Sequence, residues 1–211
     1  MRPGPTIIRK CSACGKLIVQ YTIRSGNTLR ARFWTDGKRD APMLPYEPWL
    51  VKCQHCGALV WIDEQEQVGE IEPGEPRDGD AAKFKDARPY GTPSTQDYLA
   101  SLTKSVYDKQ KERYLRLRAW WAGNDERRQE AYSGPMSNEE ISNLRAFALL
   151  LDESDENDRI MKAETMRELG MFAEAKALLS KPFSKELSQT VAILGDLTEQ
   201  KISSVREIKF R

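Results

Sequence analysis

Cys11-Ser-Ala-Cys14-Gly15 and Cys53-Gln-His-Cys56-Gly57 decide how the first part of this 211-residue chain folds. Each is a C-x2-C pair followed by glycine, and 38 residues, Gly15 to Lys52, separate the pairs. Tetrahedral zinc takes four soft thiolates at about 2.3 Å. A C-x2-C turn brings two sulfurs to one side, and the glycine after it accepts the positive φ that such a turn needs. The spacing predicts one structural metal ion held by Cys11, Cys14, Cys53 and Cys56. Zinc is the expected ion, and iron fits the same thiolates. A redox dithiol would instead sit at a helix start in a βαβ setting, and two glycine-followed pairs argue against it. His55 is the only histidine and lies between the second pair. With four thiolates completing the site, it is expected to face solvent rather than the metal.

These two Cys-x-x-Cys-Gly segments resemble the zinc ribbon and, taken singly, the rubredoxin-like knuckle. The resemblance covers residues 1–64 and implies a small antiparallel β domain. The residues agree. Leu17–Ile23 is rich in β-branched and aromatic residues, Ser25-Gly26-Asn27 signals a turn, and Thr28–Thr35 reads as the partner strand. In that strand Leu29, Ala31 and Phe33 alternate with Arg30, Arg32 and Trp34. Pro42, Pro45 and Pro48 exclude a helix and predict a loop. Trp49–Lys52 and Leu59–Ile62 are expected to be strands flanking the second pair.

Residues 65–93 read as a linker, rich in proline, glycine and acids, with too little apolar surface to offset its ordering entropy. From Ser94 the pattern is helical. Ser94 or Thr95 caps a helix with apolar positions through Trp120-Trp121, closed by Gly123-Asn124. Ser133-Gly134-Pro135 breaks the chain, and Ser137 with Glu140 is a capping box for a helix to about Leu151. Further helices are expected over Glu156–Leu169, Phe172–Ser180 and from Ser184 to about Lys201, with Gly170 and Pro182 as stops. The acid-rich stretch Asp152–Asp158 departs from the calcium-loop template, with Asn157 and Ala163 at its glycine and glutamate positions. Ser154 or Asp155 is expected to cap a helix there.

The segment Glu168–Leu179 resembles the helix-turn-helix centre of a tetratricopeptide repeat. Gly170 matches its turn, and Phe172 and Ala175 match the aromatic and small residues of its second helix. Only this one unit shows the pattern. The fold class expected is α+β in two domains: a metal-bound antiparallel β ribbon (1–64), an acidic linker (65–93) and an all-α tetratricopeptide-like domain (94–211). The whole resembles uncharacterised bacterial proteins that pair a zinc ribbon with such helices, a resemblance that implies no particular activity.

Net charge is +1, but it is unevenly spread. Residues 1–62 hold ten Lys/Arg against three Asp/Glu, whereas residues 63–80 hold eight acids and one arginine. Arg24, Arg30, Arg32, Trp34, Lys38 and Arg39 are candidate nucleic-acid-binding residues, because cations interleaved with aromatics bind single strands by phosphate contact and stacking. The aromatics serve equally as the core of so small a ribbon, with the charges as its solvated face. The acidic strip is able to fold back and screen the basic face. Trp120, Trp121 and Phe172 are candidate protein-docking residues. No stretch reaches the length of a membrane span and the start lacks an apolar signal core, so a cytoplasmic protein is expected.

No phosphate-binding glycine loop, G-x-S-x-G or H-E-x-x-H occurs. A four-thiolate metal has no open position for activating water. The expectation is a non-enzymatic adaptor with a protein partner, no membrane association and no small-molecule substrate. Nucleic-acid binding through the ribbon is the alternative, and an enzyme with an unrecognised carboxylate site stands third.

Overall fold

The computed structural model describes residues 1–74, 80–128 and 134–209. Pro76 and Gly79 of the expected linker, and Ser133 of the expected break, lie outside them. The chain divides into two compact units: residues 1–31 with 40–93, and residues 32–39 with 94–211.

The first unit begins with β1 (Arg2–Lys10) and β2 (Leu17–Ser25), which pair antiparallel across the first cysteine turn, Ile8 opposite Val19. Proline and glycine at the start of β1 shift its register between Arg2 and Thr6. Residues 32–34 and 39–40 form short strands β3 (Arg32–Trp34) and β4 (Arg39–Asp40). β5 (Leu50–Lys52) and β6 (Leu59–Trp61) then make the hairpin that carries the second cysteine pair, Val51 opposite Val60. β7 (Glu66–Ile71) pairs antiparallel with β1, and β8 (Arg88–Pro89) pairs parallel with β2, giving the order β7-β1-β2-β8. The core is Cys11, Ile18, Val51, Cys53, Val60 and Ile62, so the two buried thiols are part of the apolar cluster itself.

Two expectations for the first half of the chain do not hold. Residues 65–93 are not a bare linker, because β7, a 3-10 turn over Asp80–Phe84 and β8 all belong to the first unit. An edge strand needs little apolar surface when its backbone completes a ladder. Gly69 also lets the Phe84 ring lie against β7, where an added Cβ would meet that ring at 2.2 Å. The expected Leu17–Ile23/Thr28–Thr35 hairpin does not form either. β2 takes β1 and β8 as neighbours, and β3 pairs instead with β9 (Glu207–Ile208), Phe33 opposite Ile208. Residues 32–39 thus interrupt the expected 1–64 domain and belong with the helices. Trp34 turns inward at 6% exposure, while Leu29 is 70% exposed.

The second unit carries α1 (Thr95–Lys104), α2 (Lys109–Arg127), α3 (Asn138–Leu149), α4 (Glu156–Glu168), α5 (Phe172–Leu179) and α6 (Ser188–Glu199). Ser94 with Asp97, and Ser137 with Glu140, form capping boxes, and Asp155 caps α4. The helix expected to run unbroken to Gly123-Asn124 is interrupted and shifted. Ser105 is extended, Asp108 caps a new helix by accepting from the Lys111 amide, and α2 continues through Gly123 to Arg127. Asp108 competes with the helix backbone and wins as a cap. Gly123-Asn124 stays helical because Asn124 is held by buried partners. The last expected helix starts later, at Ser188, after a 3-10 turn over Lys185–Leu187. Trp120, Leu144, Phe147 and Leu151 form an apolar cluster, with the Trp120 and Phe147 rings 5.8 Å apart and tilted. No helix of the described residues is long and apolar enough to cross a membrane.

Candidate metal centre

The two cysteine turns have the same backbone. In each, the glycine amide donates to the first cysteine's carbonyl: Gly15 to Cys11 and Gly57 to Cys53, both 2.8 Å. The cysteine amides donate in turn to Lys16 and Ala58, both 2.9 Å. Gly15 and Gly57 have φ of 71° and 75°, as the motif requires. The turns sit at the ends of the β1–β2 and β5–β6 hairpins, which belong to separate sheets and meet through the shared apolar cluster of Cys11, Ile18, Val51, Cys53, Val60 and Ile62.

All four sulfurs lie within 4.8 Å of one another, and Cys14 Sγ is 3.9 Å from Cys53 Sγ. Four sulfurs at zinc–thiolate bond length on a tetrahedron are about 3.8 Å apart. All four cysteines are free thiols. The donor set therefore fits one tetrahedral ion. Burial works to raise the Cys11 thiol, but hydrogen bonds from the Ala13 and Cys14 amides and the neighbouring sulfurs bring it below its ordinary value. Burial holds the Cys53 thiol above its ordinary value. Each thiol that ligates must lose its proton, and a bound cation stabilises the negative charge that results.

Two side chains brace the turns. His55 is half-buried rather than turned to solvent, and its Nε2–H donates to the Leu17 carbonyl at 3.1 Å, tying one turn to the other. Gln65, 6% exposed, accepts from the Ser12 amide at 2.8 Å and donates to the Trp61 carbonyl at 2.9 Å. Gln65 carries no motif, and only its neighbours in space reveal its role.

The other candidate residues are divided between the two units. Arg24 and Arg30 lie in the first unit; Arg32, Trp34, Lys38 and Arg39 lie in the second. Arg24 pairs with Glu72, Arg32 with Glu207 and Lys38 with Asp125. Trp34 is buried, with the Arg32 and Arg128 guanidiniums 4.7 and 5.2 Å from its ring centre. Trp120 and Trp121 are 4% and 6% exposed, and their indole N–H groups donate to Glu168 and to the Asp36 carbonyl. Neither is available for docking. Phe172 is half-buried at the start of α5. The acidic strip does meet the basic head, through Arg9–Asp63, Lys10–Glu66 and Arg24–Glu72. Such exposed pairs contribute at most about 1 kcal/mol each.

A scan against protein-family models and searches of curated proteins and of solved structures returned no match.

Proposed function

We propose that the protein is a non-enzymatic zinc protein that serves as a protein–protein adaptor. The first unit is read as a variant zinc ribbon, and the α4–α5 pair as a single tetratricopeptide-like unit. One observation carries the proposal: four cysteine sulfurs gathered within 4.8 Å, a donor set that fills every position of a tetrahedral ion. A metal so enclosed stabilises a fold and activates no water. Zinc is preferred because it needs four thiolates and no redox partner, and the free thiols suit a reducing, cytoplasmic setting.

The tetratricopeptide reading rests on Gly170, at φ 75°, and on Ala175, fully buried where α5 meets α4. The docking surface is assigned to the groove of about 580 Å³ along α1, α2 and α3, lined by Leu99, Leu102, Arg116, Glu139 and Asn143. The test joins metal analysis of the purified chain to partner capture by the wild type and by Leu102→Glu. One zinc per chain, with a partner retained by the wild type and lost by the variant, is expected. Absence of stoichiometric metal, or partners indifferent to the variant, overturns the reading.

A further inference from the structure

Beside the first cysteine turn the first unit has a concavity of about 560 Å³, lined by Gly15–Leu17, His55 and Lys85–Arg88. Three cations, Lys16, Lys85 and Arg88, share it with one carboxylate, Asp86. Among the described residues none of these four makes an ion pair or a side-chain hydrogen bond. Arg9, Lys10 and Arg24 are matched by acids on or beside β7. In the order β7-β1-β2-β8 the charge is therefore balanced at the β7 edge and left positive at the β8 edge.

The walls are fixed by the fold. Arg88 is in register with Ile18 on β2, His55 is bonded to the Leu17 carbonyl, and the Phe84 ring against Gly69 anchors the segment that leads into Lys85. Cations outnumber acids in this lining, which suits an oxyanion. Loaded with a divalent ion, four thiolates keep a charge of −2, and Lys16, next to them in sequence, is the cation placed to offset it. Lys85 and Arg88, on the other wall, remain for a ligand. A bare phosphate fills only a small part of this volume, so the ligand carries its phosphate on a larger group.

We infer that this concavity is a binding site for a phosphate group, gripped by Lys85 and Arg88. The site is independent of the docking role proposed for the helices. Two sources share this chemistry, a small phosphoester and the backbone of a single-stranded nucleic acid, and the test separates them. Zinc-loaded full-length protein is titrated with inorganic phosphate and, separately, with a short oligothymidylate, while amide chemical shifts are followed. Saturable shifts at Gly15, Leu17 and Ala87 are expected. The K85Q/R88Q variant is expected to weaken phosphate binding about tenfold, the loss of two charge-assisted contacts at an exposed site.

The control is K10Q/R24Q, which removes the same charge from the compensated side of the sheet and is expected to change binding less than about twofold. Zinc content and thermal midpoint establish that both variants fold. Equal losses in the two variants mean attraction by net charge alone and overturn the site. So does phosphate that shifts no amide at the concavity. Oligothymidylate binding that depends on Lys85 and Arg88 assigns the phosphate to nucleic acid. Phosphate binding without it assigns a small phosphoester.

Discussion

Asp36 and Glu168 accept hydrogen bonds from the same amide group: Asn124 Nδ2 lies 3.0 Å from Asp36 Oδ2 and 3.1 Å from both Glu168 carboxylate oxygens. Trp120 Nε1 donates to Glu168 as well, at 2.9 Å. Asp36 pairs with Arg128, and Glu164 pairs with Arg167 at 2.6 Å. The buried cluster of the second unit thus holds three carboxylates and two guanidiniums. At its rim Asp125 pairs with both Lys38 and Arg128. Charge balance in a site closed to water calls for one proton on a carboxyl. Burial pushes Glu168 well above its ordinary pKa of 4.5, and the charges of Glu164 and Asp36 push the same way, which makes Glu168 the carboxyl of the three most inclined to take a proton.

A raised pKa in the folded state fixes the sign of the pH dependence. The stabilisation from a protonated Glu168 is complete below 4.5 and is lost as pH rises towards the folded value. Over that range stability of the helical unit should fall by about 1.4 kcal/mol per pH unit for this one proton. Asp36, also raised by burial, adds a slope of the same sign. Glu168→Gln should keep stability at neutral pH within about 1 kcal/mol and remove one proton's worth of slope. Asp36→Asn should cost about 1–3 kcal/mol, because it removes the buried partner of Arg128, which keeps its pair with Asp125 and its bond to the Trp121 carbonyl. Urea unfolding followed by helical circular dichroism across pH checks all three. A Glu168→Gln variant as pH-dependent as the wild type would refute the protonated carboxyl.

Arg167 joins the helices to the C-terminal strand. Its guanidinium donates to Glu164, to the Ile202 carbonyl, to the Ser204 carbonyl at 3.1 Å and to Thr35 Oγ1 at 3.3 Å. Thr35 Oγ1 in turn accepts from the Arg206 amide at 3.0 Å. Arg167→Met should cost about 3–5 kcal/mol, because it leaves Glu164 buried and unpaired. The double variant Arg167→Met/Glu164→Met should recover a large part of that loss. Chemical denaturation of the two proteins provides the comparison.

Metal removal should unfold one unit and spare the other. Cys11 and Cys53 are core residues of the first unit, and β-ribbon segments this short have no other staple. Chelation, or Cys53→Ser, is expected to collapse amide protection over residues 1–31 and 40–93 while α1–α6 stay protected. Hydrogen exchange resolved by peptide tests this, and equal loss in both units would contradict it.

The paired glycines isolate backbone cost from packing cost. No atom stands within 4 Å of a Cβ added at Gly15 or Gly57, so alanine there is penalised only by its positive φ, about 1–2 kcal/mol. Gly69→Ala meets the Phe84 ring instead and should loosen the Lys85–Arg88 segment. Zinc affinity should therefore fall for the first two variants and hold for the third, as a competition titration with a chromophoric chelator will show.

Local chemistry was legible where a residue's partner lies a few positions away. The two cysteine turns, the Ser94 and Ser137 capping boxes, the Asp155 cap and the Gly170 stop all depend on groups within about four residues, the range over which backbone and side chain compete. The paired C-x2-C spacing carried a non-local contact as well, because a tetrahedral ion fixes what must meet. Tertiary structure alone decided that β3 leaves the ribbon for β9, some 170 positions away. It alone buried Trp120 and Trp121, placed Glu66–Ile71 on β1, and closed the Asp36–Asn124–Glu168 cluster. Strand pairing and buried charge depend on which surfaces exclude water together, and no short window of sequence records that.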